Sequence, residues 1–72
     1  MLTTVAEVIE QLGGPTAVGR IAGRSAQSVV NWRAAEKFPA DTFLILDAAL
    51  KQRDLSAPPS LWGMLEPERA AP

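Results

Sequence analysis

The chain of 72 residues contains no cysteine, no histidine and no tyrosine. Without cysteine there are no disulfides, and without cysteine or histidine there is no ligand set for a structural zinc. The same absences remove the commonest general base and the strongest nucleophile. The carboxylates are scattered along the chain rather than paired, so the residue inventory points away from an enzyme and from any metal, cofactor or small-molecule ligand. Long apolar runs are also missing: the longest in the middle of the chain is Phe43-Leu44-Ile45-Leu46, too short to span a bilayer. The first residues lack the basic segment followed by an apolar stretch that marks a secretory signal, so a soluble, cytoplasmic protein is expected.

What is present is apolar and helical in pattern. A hydrophobic content of 47% supports one small core, and a chain this short is only marginally stable alone, which makes oligomerisation an expected supplement. Thr4-x-x-Glu7 forms a capping box, and Val5, Val8, Ile9 and Leu12 form a helical stripe that ends at Gly13-Gly14. A second helix starts at Pro15, where the missing N–H is harmless, and turns Val18, Ile21 and Ala22 inward. Gly19 leaves room for a close helix crossing, and Gly23 suits a turn with positive φ. Ser25 caps a third helix. Pro39 is predicted to open a fourth, running to about Arg53, with Phe43, Leu46, Ala49 and Leu50 inward and Phe38 as a core plug. Ser56-Ala57-Pro58-Pro59 breaks the chain before a short apolar segment, and residues 66–72 read as a disordered tail.

The third helix carries the functional signal. At about 100° per residue, Val29 and Trp32 share a core-facing stripe, and Gln27, Val30, Asn31 and Ala34 lie opposite. That outward face lacks the Glu and Lys that usually solvate a helix. Gln and Asn can bond adenine edges bidentately, and Val can meet a thymine methyl in the major groove. Charge agrees with this reading once it is resolved by position. Overall the chain carries −1. Within residues 15–37, however, Arg20, Arg24, Arg33 and Lys37 face only Glu36, an excess of three positive charges, whereas elsewhere seven carboxylates outnumber Lys51, Arg53 and Arg69 by four.

The segment GGPTAVGRIAGRSAQSVVNWR, from Gly13 to Arg33, followed by Phe38-Pro39-Ala40, resembles the Cro-like helix-turn-helix repressors of phages and bacteria over residues 5 to about 50. It departs from their pattern at Gly19, where Ala is usual, at Ala22, where a large aliphatic is usual, and at Arg24, where an apolar residue is usual. The resemblance implies an all-α, lambda-repressor-like bundle of four to five helices with a helix-turn-helix over residues 14–35 inside a domain of residues 1–65. It implies a dimeric transcriptional regulator, a repressor in this family, on a pseudo-palindromic operator of double-stranded DNA. Gln27 and Asn31, with Val30 as an apolar contact, are the expected base readers. Ser28, Thr16, Arg20, Arg24, Arg33 and Lys37 are the candidate phosphate contacts, Arg24 equally able to enter a salt bridge.

Leu61, Trp62, Met64 and Leu65 crowd apolar bulk into the segment 56–65, and a two-fold interface anchored on Trp62 is expected there, with folding back onto the first and fourth helices as the alternative. Two other functions remain open at this level. The chain could be an autoregulating antitoxin that neutralises a toxin through its acidic C-terminal surface, or a protein-interaction module that has lost DNA binding. Two further patterns are set aside. Gly14–Ile21 mimics a phosphate loop but has Arg for the Lys and a Pro where a donor is needed, and Gly19-x-x-x-Gly23 has a membrane-dimer spacing flanked by Arg20 and Arg24.

Overall fold

Four α-helices and two short 3₁₀ turns, with no strand among the described residues, follow one another in the computed structural model, which describes residues 1–64. The helices are α1 (Val5–Gln11), α2 (Pro15–Ala22), α3 (Ala26–Ala35) and α4 (Phe43–Lys51); Ala40–Thr42 and Pro59–Trp62 are 3₁₀. No described helix is long and apolar enough to cross a membrane. Leu65 and the tail at 66–72 lie outside the described residues.

Local chemistry sets the first boundary. Thr4 Oγ1 accepts from the Glu7 amide at 3.1 Å, while Glu7 Oε1 accepts from the amides of Thr3 at 2.8 Å and Thr4 at 3.1 Å. This is the reciprocal capping box, extended by two donors of Thr3, its amide and its hydroxyl. The Thr3 amide, ahead of the Thr3 hydroxyl, draws the Glu7 carboxyl below its usual range by bonding its charged form. Val5, Val8, Ile9 and Leu12 are all buried, as their spacing predicts.

The turn between α2 and α3 depends on two glycines for different reasons. Gly23 caps α2 in the left-handed conformation at φ 72°, which a side chain disfavours. Gly19 is buried in α2 with an ordinary helical backbone, but a Cβ there would stand 2.6 Å from the Arg24 carbonyl oxygen and 3.2 Å from the Ser25 carbonyl carbon. Glycine at this position thus has a steric reason: the turn lies directly against the helix.

The aromatic residues form one cluster. Phe38 stacks on Trp62 with centroids 4.8 Å apart, and Phe43 meets the same indole edge-on at 5.1 Å. Trp32 contacts Phe38 edge-on at 5.9 Å. Trp62 is 1% exposed, and its Nε1 donates to Thr42 Oγ1 at 3.1 Å, whose hydroxyl in turn donates to the Pro39 carbonyl at 2.7 Å. Both polar groups of this buried contact therefore have partners.

Two expectations are corrected here. Trp62 is a core residue of its own domain and cannot anchor a two-fold interface. The Phe38 amide donates to the Leu61 carbonyl at 2.8 Å, and the Leu2 amide to Ser56 at 2.8 Å, so the segment is laced back onto the bundle. Leu61 is half-buried against the core, and of the four residues assigned to the interface only Met64 is seen exposed, Leu65 being undescribed. The fourth helix also differs: Pro39 precedes a 3₁₀ turn, and α4 proper runs from Phe43 to Lys51. Phe43, Leu46, Ala49 and Leu50 do face inward, leaving Leu44 at 79% and Ile45 at 45% exposure.

Candidate nucleic-acid interface

The outward face of α3 begins at its cap. Ser25 Oγ accepts from the Ser28 amide at 3.1 Å and shares a hydrogen bond with the Ser28 hydroxyl at 3.0 Å. Ser28 is therefore half-buried and engaged in the cap rather than displayed as a free phosphate contact. One turn further round, Gln27 and Asn31 are both exposed, and the Gln27 Nε2 donates to Asn31 Oδ1 at 3.2 Å. Val30 stands beside them, half-buried, with Ala26 and Ala34 exposed on either side.

Only Val29 of α3 is fully buried. Trp32, expected in the core, reaches only its edge against Phe38. The helix is thus seated by one valine, one aromatic edge, the Ser25 cap and the close approach at Gly19, and its opposite face carries no packing duty. That face also carries no carboxylate: α3 reads AQSVVNWRAA, and the first acid is Glu36, which closes the helix at φ 57°.

The four cations around α3 do not form one open patch. Arg24 Nη2 bonds Asp41 Oδ2 at 2.6 Å, the salt-bridge alternative expected for it, which links the turn to the 3₁₀ segment ahead of α4. Arg33 lines a surface cleft of about 180 Å³ with Glu7 and Glu10 of α1, on the flank of α3 rather than beside Gln27. Lys37 follows the last turn of α3, its amide bonded to the Trp32 carbonyl, and its side chain crosses Gly63, where a Cβ would meet the Lys37 methylenes. Arg20 and Thr16 are exposed on α2, and Arg20 has no ion-pair partner among the described residues.

The structure thus brings Gln27, Val30 and Asn31 together on one face and sets Arg20 and Thr16 on the neighbouring helix. Asp41 was not foreseen as the partner of Arg24, because nothing within four residues of either signals the other; they stand 17 positions apart. Among the described residues no group of histidine, cysteine, aspartate and glutamate is arranged to hold a metal. No family model, no curated protein and no solved structure matches the chain.

Proposed function

We propose that the chain is a sequence-specific DNA-binding regulator whose α2–turn–α3 unit acts as a helix-turn-helix, with α3 in the major groove. The observation that carries this reading is the exposed, hydrogen-bonded Gln27–Asn31 pair on a helix face that has no carboxylate and no packing role. A face built for solvation would carry Glu and Lys; amides and methyl groups match base edges instead. Arg20 and Lys37, with Thr16, supply phosphate contacts, and Arg33 contributes from the flank. The resemblance to Cro-like repressors supports a dimer on paired half-sites about 34–36 Å apart. With Trp62 used in the core, the large apolar side chains left exposed among the described residues are Met1, Leu44, Ile45 and Met64, and Leu44 and Ile45, adjacent on α4, supply the proposed two-fold contact.

Binding to duplex DNA, followed by fluorescence anisotropy across a salt titration, tests the reading. Two to three phosphate contacts per protomer predict a slope of log affinity against log salt of roughly −2 to −3 per protomer. Arg20→Ala is expected to reduce the slope by about one per protomer, whereas Arg24→Ala, already neutralised by Asp41, leaves it nearly unchanged. Absence of salt-dependent duplex binding would overturn the proposal.

A further inference from the structure

We infer that Gly63 is the positioning residue for the Lys37 ammonium, holding it as a ready-made phosphate contact just past the end of α3; this rests on the DNA-binding reading above. The backbone of Lys37 is pinned on both sides. Its own amide donates to the Trp32 carbonyl at 3.1 Å, and the next amide, that of Phe38, donates to the Leu61 carbonyl at 2.8 Å. The side chain then crosses Gly63 so closely that a Cβ there would run into the Lys37 Cε and stand 2.9 Å from Nζ and 3.7 Å from Cδ. Only a residue without a side chain leaves that track open. Gly63 is itself fixed, its amide donating to the Ser60 carbonyl at 3.0 Å, and it closes the 3₁₀ turn Pro59–Trp62 at φ 71°.

The charge so placed is not used inside the fold. Lys37 has no ion-pair partner among the described residues, whereas Arg24 is matched by Asp41 and Lys51 by Asp47. Its methylenes are spent on packing and its ammonium is left for a ligand, the division of labour by which a long cationic side chain covers a surface with its stem and keeps its head in water. A lysine that is free in solution gives up rotamer freedom when it meets an anion; one whose stem already lies in a fixed track gives up less, so the contact keeps more of its free energy. Location names the anion. With α3 in the major groove, a cation at the end of that helix faces the phosphate oxygens of the duplex backbone.

The experiment is a double-mutant cycle with the full chain on a fluorescein-labelled duplex of mixed sequence, which suffices because a phosphate contact carries no sequence information. Gly63→Asn adds the Cβ while tolerating a positive φ, and Gly63→Ala is the second variant, circular dichroism at the assay temperature confirming that each is folded. Either substitution is expected to weaken binding about 2- to 12-fold in the wild-type background, the cost of immobilising one long side chain on contact. In a Lys37→Ala background, where the slope of log affinity against log salt is already lower by about one per protomer, neither has an effect. A second readout needs no DNA. Carbon-13 relaxation at the Cε atoms of the two lysines is expected to show Lys37 more ordered than Lys51, and Gly63→Asn to remove the difference. Equal weakening in both backgrounds, or a Lys37 Cε as mobile as that of Lys51 in the wild type, overturns the positioning role and leaves DNA binding standing. An ordered Lys37 in a protein that binds no duplex at low salt overturns the DNA-binding reading and the phosphate contact with it.

Discussion

Replacing Gly19 by alanine sets two well-calibrated effects against each other. In a helix interior, alanine is more favourable than glycine by about 1 kcal/mol, so propensity alone predicts a more stable protein. Packing opposes it. The new methyl carbon would lie 2.6 Å from the Arg24 carbonyl oxygen and within 3.3 Å of two Ser25 backbone atoms, and none of these belongs to a flexible side chain that could swing away. The turn itself has to move, and the Arg24 amide is held to the Gly19 carbonyl at 2.8 Å. Overpacking of this kind costs about 1–3 kcal/mol, and a clash with backbone belongs toward the upper end. The net expectation is destabilisation by about 1–2 kcal/mol, which lowers the midpoint of thermal unfolding by roughly 4–16 °C in a domain of this size. Circular dichroism at the helical minimum, with a urea titration for the free energy, measures it. Gly23→Ala isolates the other glycine effect: nothing lies within 4 Å of a Cβ there, so only the positive φ of 72° opposes substitution, at about 1 kcal/mol. A Gly19→Ala protein that melts higher than the wild type would refute the close-approach argument.

Thr42→Val removes the acceptor of the Trp62 Nε1–H inside the core, and leaving that donor unpaired is expected to cost about 1–3 kcal/mol in urea unfolding. Trp62→Ala, a truncation at 1% exposure, is expected to cost about 3–5 kcal/mol and to abolish cooperative melting; a folded variant with altered oligomeric state would restore the interface role excluded above. Glu36→Gly relieves a left-handed backbone at φ 57° and is expected to raise the melting midpoint by an amount equivalent to about 1 kcal/mol, an unchanged midpoint counting against strain at that cap. The Glu7 carboxyl is held below its unfolded range by the Thr3 amide first, so its stabilisation is complete above about pH 4.3 and is lost as pH falls through the depressed folded value. Glu7→Gln should therefore melt below the wild type near neutrality and converge with it on acidification; a gap that stays constant with pH would contradict the capping role.

Features whose causes are local were legible in the amino-acid order. Thr4 and Glu7 lie three positions apart and satisfy each other, the stripe Val5, Val8, Ile9 and Leu12 follows from helical geometry, and Gly23 closes α2 as its position suggested. Face was also legible, because angular position on α3 separates Val29 from Gln27 and Asn31 without knowledge of neighbours. Depth was not. Trp32 shares a stripe with Val29, yet one is fully buried and the other only edges onto Phe38, since how far a side chain sinks depends on what lies across from it. The errors concentrate where a distant residue decides. The fourth helix starts late because Thr42, the residue that would continue it from Pro39, bonds back to the Pro39 carbonyl and receives Trp62, 20 positions away. Arg24 and Asp41 are a similar case: sign alone makes them possible partners, and so it does for every other Arg and acid in the chain.

The place of Trp62 bears on α3 as well as on assembly. With a single fully buried residue of its own, α3 contributes little to the core, so its position has to be fixed by what it leans on. On one side that support is the Gly19 crossing. On the other it is Trp32 against Phe38, and Phe38 is itself clamped between the Trp62 ring and a backbone bond to Leu61. The C-terminal segment thus reaches α3 through two aromatic contacts, and Lys37, lying over Gly63, follows the same clamp. A residue such as Trp62 therefore stands behind the proposed DNA face rather than beside a partner subunit. This separation would let Gln27 and Asn31 serve the proposed readout without any cost to the core, because no atom of either amide is needed to hold the helix in place.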